Sequence, residues 1–302
     1  MSQSILVSGG SGWLGRTLIR RVLTDDPMRR VVSVSRGEMK VAELGEEFGG
    51  YENFRALVGD VRDLDRMTDA CRGIDEVVAC AALKRVDTTC YNPDELLKTN
   101  VIGVINTIRA AAMNGAKRVL LISSDKAVAP TTSYGTSKLM AEHLATSANI
   151  WAHPRGTAIA SVRYGNVAMS TGSVVHVWRK QAERSSAPLT VTHPQMTRFI
   201  LTGEHAVQII RDALAQMQGG EIFVPILPSA YMTDLAKAVA PDRAQVFTGL
   251  RPGGEKLAEA LLNEEEPSRT RRGGPYYVVA PSHHEWIREP QWPGELVDPR
   301  LV

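Results

Sequence analysis

Only three cysteines, Cys71, Cys80 and Cys90, occur in 302 residues, and no pair has C-x-x-C spacing. That count and spacing point to neither a disulfide framework nor a zinc site. An excess of charge of one sign is also missing. The net charge of +2 creates no field that calls for nucleic acid or an anionic membrane surface. The local "RR" at Arg29 and Arg30 and "RTRR" at Arg269 to Arg272 read as solvated loop faces. No apolar run approaches the length that spans a bilayer. The opening "MSQSILVSGG" lacks the basic region and long apolar stretch of a signal peptide. A soluble, cytoplasmic protein is therefore expected, with neither nucleic acid nor membrane as partner. His283, His284 and Glu285 have no third ligand at suitable spacing, so no metal is expected. There are no repeats and no low-complexity tract.

What is present is an ordinary globular balance, 43% hydrophobic and 23% charged. In the first half, short β-branched runs alternate with longer amphipathic ones. "SILVSG", "VVSVS", "FRALVGD", "EVVACAA", "RVLLISS" and "AIASVRYGNV" read as strands. Trp13 to Leu23, "EMKVAELGEEF" and Pro93 to Asn114 read as helices. In the last of these, Leu96, Leu97, Val101, Val104, Ile105 and Ile108 form the apolar face. Alternating β and α units predict an α/β, Rossmann-like, doubly wound parallel sheet. Beyond about Val167 prolines interrupt shorter elements. The expected organisation is a dinucleotide-binding domain over residues 1–166 and a smaller substrate-binding lobe over 167–302, with some interleaving. The tail from Pro281, with Trp286, Trp292 and three further prolines, is expected to run along the surface.

"LVSGGSGWLGRT" sets Gly9, Gly12 and Gly15 directly after the first strand and at the opening of the first helix. Glycines there allow a tight turn and close approach of a pyrophosphate to the helix N-terminus, which predicts a dinucleotide site. Trp13 and Leu14 belong to the same loop. At the end of the second strand stand Ser35 and Arg36, where an NAD site usually has an acid. A hydroxyl beside a guanidinium suits a 2′-phosphate, so NADP is favoured and NAD stays open. Asp60 and Val61 follow the third strand, where an adenine edge can be read. Ala81 and Ala82 after the fourth strand and Val167 complete the expected cofactor contacts.

"SSDKAVAPTTSYGTSK", Ser123 to Lys138, carries the chemistry. Tyr134 and Lys138 are four apart on one helical face. A tyrosine is a poor base at neutral pH. A neighbouring ammonium, helped by a positive nicotinamide ring, is expected to lower its pKa, so that it takes a proton from a substrate hydroxyl. Ser124 can bond the same oxygen. Asp125 and Lys126 add an acid and a base, the equipment for eliminating water beside a newly made carbonyl. A solvated turn is the bland alternative.

These residues resemble the extended short-chain dehydrogenase/reductases. Within them the likeness is to the inverting UDP-N-acetylglucosamine 4,6-dehydratases of polysaccharide and nonulosonic acid biosynthesis. It covers nearly the whole chain, including "GGSGWLG", "GDVRD", "AALKRV", "YNPDELLKTNVIG", "VRYGNV", "MTRFILT" and "RPGGEKLAE". The resemblance implies Tyr134 and Lys138 for oxidation at C4, Lys126 as the base at C5 and Asp125 as the acid. It also implies that Lys84, Asn166, Arg198, Arg251 and Glu255 contact a nucleotide sugar. Arg198 and Arg251 would clamp its diphosphate. The family usually has histidine where this chain has Arg85, and proline where it has Asp87. Two other readings stay open: an epimerase or ring-rearranging mutase on the same scaffold, or a non-catalytic dinucleotide-binding protein. A homo-oligomer, a dimer or higher, is expected.

Overall fold

In the computed structural model, residues 3–170, 172–251, 253–287, 292 and 294–297 are described. The six expected strands form as β1 (Ile5–Ser8), β2 (Val31–Ser35), β3 (Phe54–Val58), β4 (Glu76–Ala79), β5 (Arg118–Ile122) and β6 (Ala158–Val162). The first helices are α1 (Trp13–Asp25), α2 (Glu38–Phe48) and α3 (Leu64–Ala70). They are followed by α4 (Val86–Thr89), α5 (Pro93–Leu97), α6 (Gly103–Met113) and α7 (Ser133–Ala152). Further along come β7 (Asn166–Val167), α8 (Val174–Arg184), β8 (Leu189–Val191), β9 (Thr197–Leu201) and α9 (Gly203–Gln216). The chain continues with β10 (Ile222–Pro225), β11 (Ser229–Tyr231), α10 (Met232–Val239) and β12 (Gln245–Phe247). It closes with β13 (Thr270–Gly273), β14 (Tyr276–Val279) and β15 (Glu295–Leu296).

Strands run 3-2-1-4-5-6-10 in parallel, and β14, β13 and β15 extend that edge antiparallel. The order reverses between β1 and β4, which opens a crevice at the carboxyl ends of those strands. Alternate strand residues face opposite layers. Ile5 and Val7 pack with Leu18, Ile19, Val207 and Ile210 of α1 and α9. Leu6 packs with Val104, Ile108, Ala141 and Ala145 of α6 and α7 on the other side. The contact face of α7 is a row of alanines, Ala141, Ala145, Ala148 and Ala152, all buried. Small side chains let this helix lie close to the sheet, which brings its first turn beside the end of β5.

Two expected elements differ. Pro93 to Asn114 is not one regular helix, because residues Lys98–Ile102 form a π turn between α5 and α6. Asn100 lies within it: its Oδ1 accepts from Leu83 N at 2.8 Å and its Nδ2 donates to Leu83 O at 2.9 Å. The inserted residue changes the helix phase, so Leu96, Val101, Val104 and Ile108 are buried but Leu97 is exposed. The sixth strand ends at Val162, before the "RYGNV" run. Arg163 is fully buried and pairs with Glu142 of α7 at 2.7 Å and Glu266 at 2.8 Å, which ties the C-terminal segment to the helix that carries Tyr134.

Beyond β7 the chain builds two small sheets, β11-β9-β7 and β12-β8, while β10, β13 and β14 return to the main sheet. A separate cluster of Trp178, Leu189, Val191, Met196 and Met232 packs α8 and α10 on β8. In the tail, Trp286 Nε1 donates to Gly219 O. Its last three prolines, Pro290, Pro293 and Pro299, lie outside the described residues. Among the described residues no helix is long and apolar enough to cross a membrane.

Candidate active site

One cleft of about 1360 Å³ runs along the carboxyl ends of the central strands. That exceeds the roughly 300–1,000 Å³ of a single small-molecule pocket and suits two ligands side by side. Gly9, Gly12, Trp13, Leu14, Gly15, Ser35 and Arg36 line one end. Ser124, Lys126, Tyr134 and Lys138 line the centre, with Val61, Ala81, Ala82, Lys84, Asn166 and Val167 around them. Arg198, Arg251 and Glu255 line the other end. The expected cofactor and substrate residues thus converge from both halves of the sequence.

The cofactor end fits a dinucleotide pyrophosphate. Helices α7, α8 and α9 start with side-chain caps from Thr132, Ser173 and Thr202. Helix α1 starts on Gly12, with no side-chain cap. Its first N–H groups are left for an anion. The glycines are sterically required. A Cβ on Gly9, whose φ is 71°, would sit 2.8 Å from Ala81 Cα, and one on Gly15 would sit 2.6 Å from Gly10 Cα. Ser35 Oγ accepts from Ser11 N at 3.0 Å, while Arg36 is half-exposed beside Asp60 at 3.9 Å. Asp60 does not line the cleft. Burial would raise its pKa, but bonds from Arg62 hold it below the usual carboxylate range.

At the centre, Thr132 caps α7 by accepting from Gly135 N at 3.0 Å, which places Tyr134 in the first turn with Lys138 one turn on. Both are buried. Lys138 Nζ donates to Ile122 O at 2.8 Å, and burial pulls its pKa down to about 8. The expected lowering of the Tyr134 pKa is not made by the protein alone. Burial raises it and the Asp125 charge adds to the rise, with the Ser124 hydroxyl opposing. Cys80 also lines the cleft, but burial pushes its thiol up to about 12, so it packs rather than attacks.

Asp125 and Lys126 form a short helical turn against the start of α7. Lys126 Nζ donates to Asp125 Oδ1 at 3.0 Å and to Asn166 Oδ1 at 3.2 Å. Ser124 Oγ donates to the same Asp125 oxygen at 2.7 Å. Asp125 is fully buried one layer behind the cleft surface, and its Oδ2 has no hydrogen-bond partner. One carboxylate oxygen is therefore free to carry a proton. Gly135 lets this turn seat on the helix, since a Cβ there would lie 2.2 Å from Lys126 O.

At the far end the two arginines do not stand free. Arg251 pairs with Glu255 at 2.5 Å, and Arg198 approaches the same carboxylate at 3.5 Å. Arg198 is buried and donates to the carbonyls of Thr197, Lys256 and Leu257. Much of its donor capacity therefore holds the chain in place. Lys84 is exposed at the cleft, and partial desolvation there lowers its pKa. Arg85 and Asp87, at the cleft rim, pair with each other at 2.7 Å.

Sequence reasoning missed Asn100, which braces the Leu83 loop and donates to Ser137 Oγ, and Glu259, which approaches Lys126 at 3.8 Å. The "LAE" that ends the "RPGGEKLAE" motif was the available signal for Glu259. Among the described residues no cluster of histidine, cysteine and carboxylates could hold a metal.

A tyrosine and lysine one helical turn apart, set beside a dinucleotide cradle, place the chain among the extended short-chain dehydrogenase/reductases. Within that class it belongs to the polysaccharide biosynthesis protein family, whose profile matches residues 5–281. The inverting UDP-N-acetylglucosamine 4,6-dehydratase of Campylobacter jejuni subsp. jejuni serotype O:2 is 37% identical over 280 residues, 93% of this chain and 83% of its own. The UDP-glucose 4-epimerase of Rickettsia bellii is 33% identical over 286 residues, 92% of this chain and 83% of its own. Among solved structures, Pen from Bacillus thuringiensis matches with a TM-score of 0.88 and 34% identity, over 93% of this chain and 90% of that one.

Proposed function

We propose that the protein is a nucleotide-sugar 4,6-dehydratase that inverts C5, acting on a UDP-N-acetylhexosamine or a close analogue. The observation that carries the reading is the Lys126–Asp125 contact of 3.0 Å beside Tyr134. When bound, a nicotinamide dinucleotide supplies the hydride acceptor for C4 and the hydride donor for C6. Tyr134 Oη takes the proton of the C4 hydroxyl, with Lys138 behind it and Ser124 on the same oxygen. Lys126 Nζ then removes the C5 proton, made acidic by the new C4 ketone. Asp125 gives a proton, relayed by the Ser124 hydroxyl that bonds it and lines the cleft, to the departing C6 hydroxyl, which leaves as water. A solvent proton added to C5 from the opposite face sets the inverted centre, and Tyr134 returns to solvent the proton it took from the C4 hydroxyl, which closes the proton balance.

The proton count favours this pairing. Moving one proton along the Lys126–Asp125 bond turns an ion pair into an amine and a carboxylic acid, the base and acid that elimination needs. Removing C5–H and expelling water restores the ion pair, so the two residues turn over without outside protons.

The Ser35–Arg36 end supports NADP over NAD, because a guanidinium at the strand end meets a 2′-phosphate. Exposed Ile102, Met113, Met140 and Ile150 on α5 to α7 support a homo-oligomer. We place the enzyme in the cytoplasm. The similarity to the Rickettsia epimerase favours a second reading, 4-epimerisation. It needs Tyr134 and Lys138 but leaves the acid–base pair without a task. Mass spectrometry of products from a panel of nucleotide sugars separates the two. Loss of one water supports the dehydratase, and unchanged mass for every turned-over sugar overturns it.

A further inference from the structure

We propose that Glu259 is a positioning residue for Lys126, acting at the C5 step; the inference rests on the dehydratase reading of the cleft. The Glu259 side chain is 4% exposed and does not line the cleft. Its Oε1 lies 3.8 Å from Lys126 Nζ and its Oε2 lies 2.8 Å from Lys256 Nζ. The Lys256 ammonium stands off the line of a hydrogen bond, so Oε2 has no hydrogen-bonded partner. Lys256 directs its donors instead to Val128 O at 2.9 Å and Ala129 O at 3.3 Å.

Those carbonyls belong to the exit of the catalytic turn, and Ala129 there has φ of 41°. A left-handed residue with a Cβ is strained and persists only where its surroundings hold it. The hold comes from the "RPGGEKLAE" segment: Lys256 binds the two carbonyls, and Thr131 Oγ donates to Gly254 O at 2.5 Å. Glu259 joins this clamp to Lys126. Three elements thus surround Lys126 Nζ with oxygen: Asp125 at 3.0 Å, Asn166 at 3.2 Å and Glu259 at 3.8 Å. The anionic charge of Glu259 favours the ammonium that forms when Lys126 takes the C5 proton. Among the described residues Glu259 makes ion-pair contacts with Lys126 and Lys256 and no hydrogen bond with Tyr134, so it bears on C5 and not on oxidation at C4.

The test compares wild type, Glu259→Gln and Glu259→Asp on the nucleotide sugar that wild type dehydrates, with protium or deuterium at C4 and at C5. In Glu259→Gln, kcat is expected to fall about 10–100-fold with KM changed less than about threefold. The C5 isotope effect should grow while the C4 effect shrinks, and Glu259→Asp should recover part of the rate. An unchanged kcat, a loss carried by KM, or a growing C4 effect would overturn the assignment. A second measurement needs no substrate: reductive methylation of the folded protein, read at Lys126 by peptide mass spectrometry. Loss of the Glu259 contact should raise the Lys126 methylation rate about threefold or more, because the amine is no longer held by the carboxylate 3.8 Å away. An equal rate in both proteins would overturn the coupling. Should wild type expel no water from any sugar, the dehydratase reading falls, while the methylation comparison still judges Glu259.

Discussion

Lys126 Nζ lies 3.0 Å from Asp125 Oδ1, and that oxygen also accepts the Ser124 hydroxyl at 2.7 Å. Here the short turn after β5 also brings Lys126 to Asn166 of β7, which accepts from it at 3.2 Å. An acid and a base are thereby held within one proton transfer of each other, beside the tyrosine that would make the ketone.

The pH dependence of stability should report Lys138. Burial moves its pKa from 10.5 to about 8, so between these values the unfolded chain binds more protons than the folded one. Stability therefore rises with pH across that window. Urea unfolding of wild type and Lys138→Met is the measurement. Wild type should gain on the variant from about pH 8 to about 10.5, in line with the linkage relation. Parallel curves would contradict the buried ammonium.

Gly135 should not tolerate a methyl group. The added Cβ would lie 2.2 Å from Lys126 O, against backbone that cannot rotate away. Gly135→Ala is expected to lose about 1–3 kcal/mol of stability, as overpacked sites do. Because the clash displaces the turn that carries Lys126, kcat should fall as well. Thermal melting and steady-state rates would show both, and a variant normal in each would refute the close seat of turn on helix.

Arg36 should set cofactor choice. Replacing it with alanine removes a guanidinium available to a 2′-phosphate, and the NADP preference is expected to drop about 10–100-fold, the value of one or two charge-assisted bonds. Fluorescence titration with NADPH and NADH measures it. Equal loss for both cofactors would place Arg36 in the fold and not in recognition.

Arg251 and Arg198 should separate in a kinetic comparison. Arg251 is exposed and, among the described residues, its side chain is held by Glu255, whereas buried Arg198 anchors three carbonyls. Arg251→Ala is expected to raise KM for the nucleotide sugar about tenfold or more at nearly constant kcat, the signature of lost uniform binding. Arg198→Ala should also lower the melting temperature. A falling kcat with unchanged KM in Arg251→Ala would argue against a diphosphate contact there.

Local periodicity made much of the scaffold legible. "EMKVAELGEEF" carries its own helical stripe and is α2, and the six β-branched runs are the six strands in the order a doubly wound sheet requires. The glycine loop was legible because steric need leaves a mark in sequence. What escaped depends on long-range partners. Nothing near Asn100 announces the π turn, and the partner its side chain meets there is Leu83, seventeen residues away. The strand reading ran past Val162 because Tyr164 keeps the apolar alternation of Ala160 and Val162, while Arg163 is drawn off by Glu142 and Glu266. The Tyr134–Lys138 spacing was plain, yet the direction of the tyrosine's shift was not. Burial and the charge of Asp125 belong to the folded site and outweigh a motif read in isolation.

The most direct measurement follows one nucleotide sugar through turnover in deuterated water, by mass and NMR, with wild type and Lys126→Ala. Wild type should lose one water and carry one deuterium at an inverted C5. Lys126→Ala should bind cofactor normally and lose about 10²–10⁴-fold in dehydration, the usual contribution of a general base. Product of unchanged mass, a C5 without deuterium, or dehydration that survives in Lys126→Ala would contradict the assignment of Lys126 as the base at C5.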